Sequence, residues 1–283
     1  MKRLILTTSD SGAGNIGAAG LADFTVTLGQ RLVSSPPLSK AQLAGYFVAR
    51  ATEVEGPFWQ YHSPDWRIEK SGGKDLGLVD FCARYDEIEL WIDPDPNAQL
   101  NLIWLLDFLR AHEPLATQVR LVHADFSMSE RCPDDLAKWQ PARVNVTRDH
   151  LETASVAWKA WREPAPPAWF ELLALDLSPL PRLKWAVAEL LGELPGQKTG
   201  LSATELWMLE RTVRGKTKPE DIFKGLFQRE QRGAFDYWEI GELLDGLAHC
   251  PAPAIAGLAE GPFTLEMHDD RERRNRYFES QLT

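Results

Sequence analysis

Three polar clusters each follow a short apolar run. They are Ser9-Asp10-Ser11 after Arg3 to Thr8, Asp93-x-Asp95 with Asn97 and Gln99 after Ile88 to Ile92, and His123-x-Asp125 closing Val119 to His123. If the runs are parallel strands, their carboxyl ends share one edge, where open α/β sheets bind ligands. Were the strands neighbours, the carboxylates of Asp10, Asp95 and Asp125 would converge with the His123 imidazole. That set suits Mg²⁺ or Mn²⁺ in phosphoryl chemistry, with the phosphate at a helix N-terminus near Gly14. Asp10, Asp95, His123 and Asp125 are thus the catalytic candidates, and Ser9, Asp10, Ser11, Gly12, Gly14 and Gln99 the ligand-binding ones. Each has a structural alternative. Asp95 before Pro96 has the form of an N-cap with proline at the first helical position. Asp10 can cap the helix that follows it, and His123 suits a strand end. No cofactor or metal is assigned.

Gly12-Ala13-Gly14-Asn15-Ile16-Gly17 matches G-x-G-x-x-G between a strand and a helix. In a dinucleotide fold those glycines admit a pyrophosphate to the helix N-terminus. Yet no Asp or Glu lies between Asp23 and Glu53, so the ribose-binding acid is missing. A tight strand-to-helix turn is the favoured reading, and a generic phosphate or anion site the intermediate one. No nucleophile stands out, since G-x-S-x-G, Walker A and HExxH patterns are all missing. His62 with Asp65, in the long connection 55–74, reads as a pair of solvated turn residues, the alternative being a cover over a ligand.

The elements that must position these groups alternate. Strands are expected over 3–8, 24–28, 88–92, 119–123 and 143–147, and helices over 14–21, 40–51, 97–111 and 150–162. That order predicts an α/β fold, a mostly parallel Rossmann-like sheet covered on both faces. The helix at 97–111 is apolar nearly all round and must be buried on more than one side, between the sheet and the second domain. After the prolines at 164–167 only helices are expected, over 168–175, 181–193, 202–213, 219–231 and 236–248. Capping boxes mark Ser39-x-x-Gln42, Ser202-x-x-Glu205 and Thr217-x-x-Glu220. Short β-prone pieces at 254–258 and 263–267 follow, so three helices and a two-stranded wing suggest a winged-helix-like domain. The predicted domains are 1–165, the sheet, and 166–283, the helices.

A winged helix invites a DNA-binding reading, but the third helix carries Asp236, Glu239, Glu242 and Asp245 and no Lys or Arg. A recognition helix needs the opposite sign. Packing through Trp238, Ile240, Leu243, Leu244 and Leu247 explains it better. The run Arg271, Arg273, Arg274, Arg276 is interleaved with acids and followed by Tyr277-Phe278, the pattern of a solvated helix with an aromatic anchor.

The net charge of −10 over 283 residues also disfavours nucleic acid as a partner. The longest apolar stretch, Leu102 to Leu109, is broken by Asp107, so no membrane span is expected. Met1-Lys2-Arg3 with Leu4-Ile5-Leu6 reads as a first strand, because the apolar run is too short for a signal peptide. Cys82, Cys132 and Cys250 are widely spaced and odd in number, which fits a reducing cytoplasm.

Several short motifs carry a family likeness. Glu89-Leu90-Trp91-Ile92-Asp93-Pro94-Asp95, then Gln99-Leu100 and Leu105-Leu106, resembles the core of bacterial domain-of-unknown-function family 1835. Leu6 to Gly14 resembles the start of that family. Trp158 to Trp161, Gly200 to Glu205 and Phe223…Glu230…Phe235-Asp236 are similar to the helical region that follows it. Ala98 and Ser34-Ser35-Pro36-Pro37 depart from the pattern. The resemblance implies an architecture and carries no activity. The expected function is a small-ligand-binding or regulatory and interaction module. It would take an anionic small molecule at the sheet edge and a protein partner through the helical domain. The alternative is a metal-dependent phosphoester or nucleotide-processing enzyme using the edge carboxylates.

Overall fold

The computed structural model describes residues 1–34, 38–49, 58–60, 68–69, 72–227 and 233–283. By internal packing the chain divides into two compact units, 1–187 and 188–283. Prolines 164–167 therefore lie within the first unit.

The first unit is an α/β sheet. Strands β1 (Arg3–Thr7), β2 (Phe24–Thr27), β3 (Glu87–Ile92), β4 (Val119–His123) and β5 (Val144–Asn145) lie in the order β2-β1-β3-β4-β5. The first four run parallel, and the two-residue β5 pairs antiparallel at the edge. Strands covered on both faces need continuous rather than alternating apolar runs, and Leu4-Ile5-Leu6 and Leu90-Trp91-Ile92 supply them. The interleaved helices are α1 (Asp10–Ala18), α2 (Lys40–Gly45), α3 (Leu78–Cys82), α4 (Pro96–Leu109), α5 (Glu113–Ala116), α6 (Pro133–Lys138), α7 (Arg148–Arg162) and α8 (Pro167–Leu172).

On one face, α1 and α6 close over Ile5, Trp91 and Val122, joined by Ile16, Met128 and Leu136. On the other, α4 lies over Leu90 and Ile92. The outer side of α4 is covered by α7, where Trp104 and Trp158 stack with centroids 5.5 Å apart. Tyr46, Phe47 and Phe108 extend that aromatic layer. Burial all round α4 is thus met within the first unit, by the sheet and by α7.

Helix α1 begins four residues before the expected start because Ser9 accepts the Gly12 N–H (3.1 Å) and caps it there. The Ser39–Gln42 capping box opens α2 as expected, and Ser202–Glu205 opens the helix after it. His62 and Asp65 lie outside the described residues.

Glu89 points from the middle of β3 and is fully buried. Arg3 of β1 reaches its Oε2 at 2.7 Å, Arg143 beside β5 its Oε1 at 2.7 Å, and Arg120 of β4 stands 3.7 Å away while pairing Glu87 at 3.0 Å. The Trp91 indole N–H adds a bond of 2.8 Å. Burial raises the Glu89 pKa, but the hydrogen bonds from Trp91, Arg3 and Arg143 outweigh it and hold the carboxyl below its ordinary value.

The second unit is helical. Helix α9 (Leu183–Gly192) crosses the division, followed by α10 (Ala203–Val213), α11 (Pro219–Phe227), α12 (Tyr237–His249), α13 (Leu265–Asp269) and α14 (Arg271–Glu279). Met208, Ile222, Phe223, Ile240, Leu244, Phe263, Met267, Tyr277 and Leu282 form its core. The expected capping box at Thr217 is replaced. The Thr217 hydroxyl donates to Gln281 Oε1 at 3.2 Å, and the carbonyl of Lys218 accepts the first N–H groups of α11.

The expected wing is corrected too. Residues 263–267 enter helix α13, because Thr264 accepts the Met267 N–H (3.2 Å). Ala256, in the other β-prone piece, exchanges two backbone bonds with Thr283 (2.9 and 3.0 Å) rather than with 263–267. Gly257 permits that approach, since a Cβ there would strike the Gln281 carbonyl. Trp238 is also more open than expected, at 37% exposed, although Ile240, Leu244 and Leu247 of α12 are buried. The basic run forms α14 with Tyr277 buried, and Arg273 and Arg276 pair with Glu260.

Breaking the Glu89 cluster should be costly. Glu89→Gln leaves the half-buried guanidinium groups of Arg3 and Arg143 without their carboxylate and is expected to lower stability by about 1–3 kcal/mol at neutral pH, read by urea unfolding. Because the folded pKa of Glu89 is depressed, its contribution is present above the unfolded value and is lost as pH falls through the folded one. The gap between wild type and variant should therefore close in acid.

Candidate functional site

The parallel order reverses between β1 and β3. The chain leaves β1 for β2 on one side and later returns to β3 on the other. The register aligns Thr7 with Trp91. The segments after these strands therefore emerge side by side, at the kind of position where doubly wound sheets open a crevice.

The β1 segment turns at once into α1. Ser9 spends its hydroxyl and its carbonyl on the Gly12 and Ala13 N–H groups. It is the cap in place of Asp10, which occupies the first turn and is exposed together with Ser11. Burial pushes the Tyr46 hydroxyl up to about 12, and the Asp10 carboxylate contributes in the same direction. Gly12 is buried, and a Cβ there would stand 3.0 Å from Met128 Cβ. The first glycine of the motif therefore serves helix packing. Gly14 faces open space.

The β3 segment is more densely bonded. Asp93 is 3% exposed, accepting from Ser127 Oγ at 3.0 Å and from the Met128 N–H at 3.3 Å, which ties the loop after β4 to β3. Ser127 and Ser129 hydroxyls lie 2.8 Å apart. Asn15 of α1 donates to the carbonyls of Met128 and Arg131 at 3.2 and 3.0 Å, so the same loop is held from the other side. Asp95 caps α4 through the Ala98 N–H (3.0 Å), with Pro96 in the first turn as expected. Asn97 and Asn101, one helical turn apart, hold the backbone of Gln30 and Leu32 after β2.

Three buried polar atoms here lack a partner. Gln99, 1% exposed, donates through Nε2 to the Asp93 carbonyl (2.9 Å), but its Oε1 accepts nothing, and neither the Thr7 nor the Thr8 hydroxyl makes a hydrogen bond. Native structures satisfy nearly all such atoms.

His123 closes β4 and Asp125 follows it, one strand further out. The alternation of β4 puts Val122 on the α1 face and His123 on the opposite one. Both His123 ring nitrogens are buried and unpartnered. Burial, then the nearby His150 and Arg182 charges, push its pKa down from 6.5 to about 4. Asp125 is exposed. The structure thus sets Ser9, Asp10, Ser11, Gly12, Gln99 and Asp95 at neighbouring strand ends, and turns His123 away from α1, on the last residue of the next strand out. Among the described residues no group of three His, Cys, Asp or Glu side chains is arranged to hold a metal ion. Ser127, Ser129, Asn15 and Thr8 also belong to the edge. Only the Asn97-x-x-x-Asn101 spacing offered a sequence signal for any of the additional polar contacts.

No protein-family model and no curated protein matches this chain.

Asp95→Ala should cost about 1 kcal/mol through loss of the cap, measured by chemical denaturation. An imidazole C–H titration by NMR should place His123 near pH 4, well below an ordinary histidine. The unfolded chain takes up that proton nearer 6.5, so stability falls as pH drops across this window.

Proposed function

We propose that the first unit is a small-ligand-binding module whose ligand enters the crevice between the β1–α1 and β3–α4 segments. The observation that carries this reading is the pairing of unsatisfied buried acceptors with a helix N-terminus at the strand-order reversal. Gln99 Oε1, at the end of β3, and Thr8 Oγ1, next to the Ser9 cap of α1, both lack partners. A ligand bearing both an anionic group and hydroxyl donors suits that pairing. Its anion would lie at the α1 N-terminus, where N–H groups and the helix dipole favour negative charge. Its hydroxyls would donate toward Gln99 and Thr8, with exposed Asp10 accepting from a diol. Sugar phosphates and nucleotides have this make-up.

The likeness to bacterial family 1835 and a cytoplasmic setting form part of the same proposal. Cys82, Cys132 and Cys250 are free thiols, which supports a reducing compartment. No described helix is long and apolar enough to cross a membrane.

A thermal-shift panel of nucleotides, sugar phosphates and Mg²⁺ or Mn²⁺ tests the reading. A ligand at a hundred times its Kd adds about 2.7 kcal/mol, roughly a 5–10 °C rise for a unit of this size. Asp10→Asn and Gln99→Met, which keeps the side-chain volume, should each abolish most of it. A flat panel, or a shift both variants retain, would reject the crevice as the site.

A further inference from the structure

We propose that a cavity at the carboxyl end of α12, in the helical unit, is a second binding site, shaped for an organic cation carrying N–H donors, a guanidinium or primary ammonium group. This site does not rest on the sheet-edge reading, since every residue in it lies between positions 245 and 262.

The cavity has a volume of about 480 Å³ and is lined by Asp245, Gly246, His249, Cys250, Gly261 and Pro262. That volume falls within the range of small-molecule sites. No lining residue is Lys or Arg. The last turn of the 13-residue α12 ends here, and helix carboxyl ends carry partial negative charge on their unsatisfied carbonyls.

Asp245 gives the cavity its sign. It is 8% exposed, and its two oxygens fare differently. Oδ2 accepts the Phe263 N–H, while Oδ1 is buried without a hydrogen bond. The imidazole Nδ1 of His249 stands 3.8 Å from Oδ1, beyond hydrogen-bond reach. Burial raises the Asp245 pKa, and Glu242 adds to the rise. A carboxylate short of donors in a low-dielectric place is stabilised strongly by a nearby cation. The imidazole of His249, 45% exposed at its side chain, offers a directional acceptor in the same cavity when neutral. Gly261 keeps the space open. A Cβ on it would stand 2.7 Å from His249 Cε1 and 3.2 Å from Asp245 Oδ1.

The three cysteines supply the test. Cys250 lines the cavity, Cys132 is exposed elsewhere, and Cys82 is buried. Alkylation of the full chain by iodoacetamide, followed by peptide mass spectrometry, reports Cys250 and Cys132 separately. The probes are n-butylguanidinium, n-butylammonium and, as the uncharged analogue, N-butylurea. At ten times its Kd a cation should slow Cys250 about tenfold by mass action and leave Cys132 unchanged. N-butylurea should protect neither. Asp245→Asn and Gly261→Ala, each first checked for a native circular-dichroism spectrum, should abolish the protection. If either variant fails to fold, the wild-type contrast between cation and urea decides alone. Equal slowing of both cysteines, no slowing, equal protection by the urea, or protection surviving in folded Asp245→Asn would overturn the proposal.

Discussion

A single carboxylate, Glu89, ties the sheet together. Its neighbours on both sides of β3 answer it with guanidinium groups, Arg3 from β1, Arg120 from β4 and Arg143 from beside β5. A buried ion without partners is strongly disfavoured, so any arrangement that separates these strands strands the charge. The cluster therefore favours this strand order, and it penalises register slips that apolar side chains would tolerate. Leu4-Ile5-Leu6 could pair with many partners through its backbone. Arg3 meets Glu89 only in a narrow set of registers.

Holding β1 against β3 has a consequence at the far edge. It brings the Thr8–Ser11 turn beside Asp93–Gln99, two segments far apart in the chain. Asp93 then draws in the loop after β4 through Ser127 and Met128, and Asn15 holds that loop from α1. Most polar groups at the edge are consumed in this way. The Ser9 hydroxyl caps a helix, Asp95 caps another, and the two asparagines of α4 brace the segment after β2. What remains unsatisfied is small, Gln99 Oε1 and the threonine hydroxyls.

Much of this is legible in the sequence. Apolar runs mark β1 and β3, shorter β-prone stretches mark β2 and β4, and the Asp95-Pro96 and Ser39…Gln42 patterns mark helix starts, because caps are local chemistry that a short segment completes by itself. The failures came where distant partners decide. The β-prone run 263–267 becomes helical because Thr264 caps it and Asp245, 18 residues away, takes the Phe263 N–H. Thr217 gives its hydroxyl to Gln281, 64 residues on, rather than forming the box its spacing suggested. The position of His123 at the end of β4 suggests a place among the carboxylates, but strand alternation turns it to the face opposite α1 and Asp10. The role of Glu89 was invisible for the same reason. An acid inside a β-run is an anomaly until its arginines are found.

Three buried carboxylates differ in how completely they are partnered. Glu89 has guanidinium and indole donors on both oxygens, and its proton affinity is lowered. Asp93 is held by a hydroxyl and a backbone N–H, and fixes one loop. Asp245 has one backbone N–H, a histidine slightly too far to bond, and a raised proton affinity. A fully answered charge lends its energy to the fold and has little left for a ligand. An incompletely answered one costs stability in the native state, and any partner that supplies the missing donor recovers part of that cost. The degree of satisfaction thus separates a carboxylate that organises a sheet from one placed to bind.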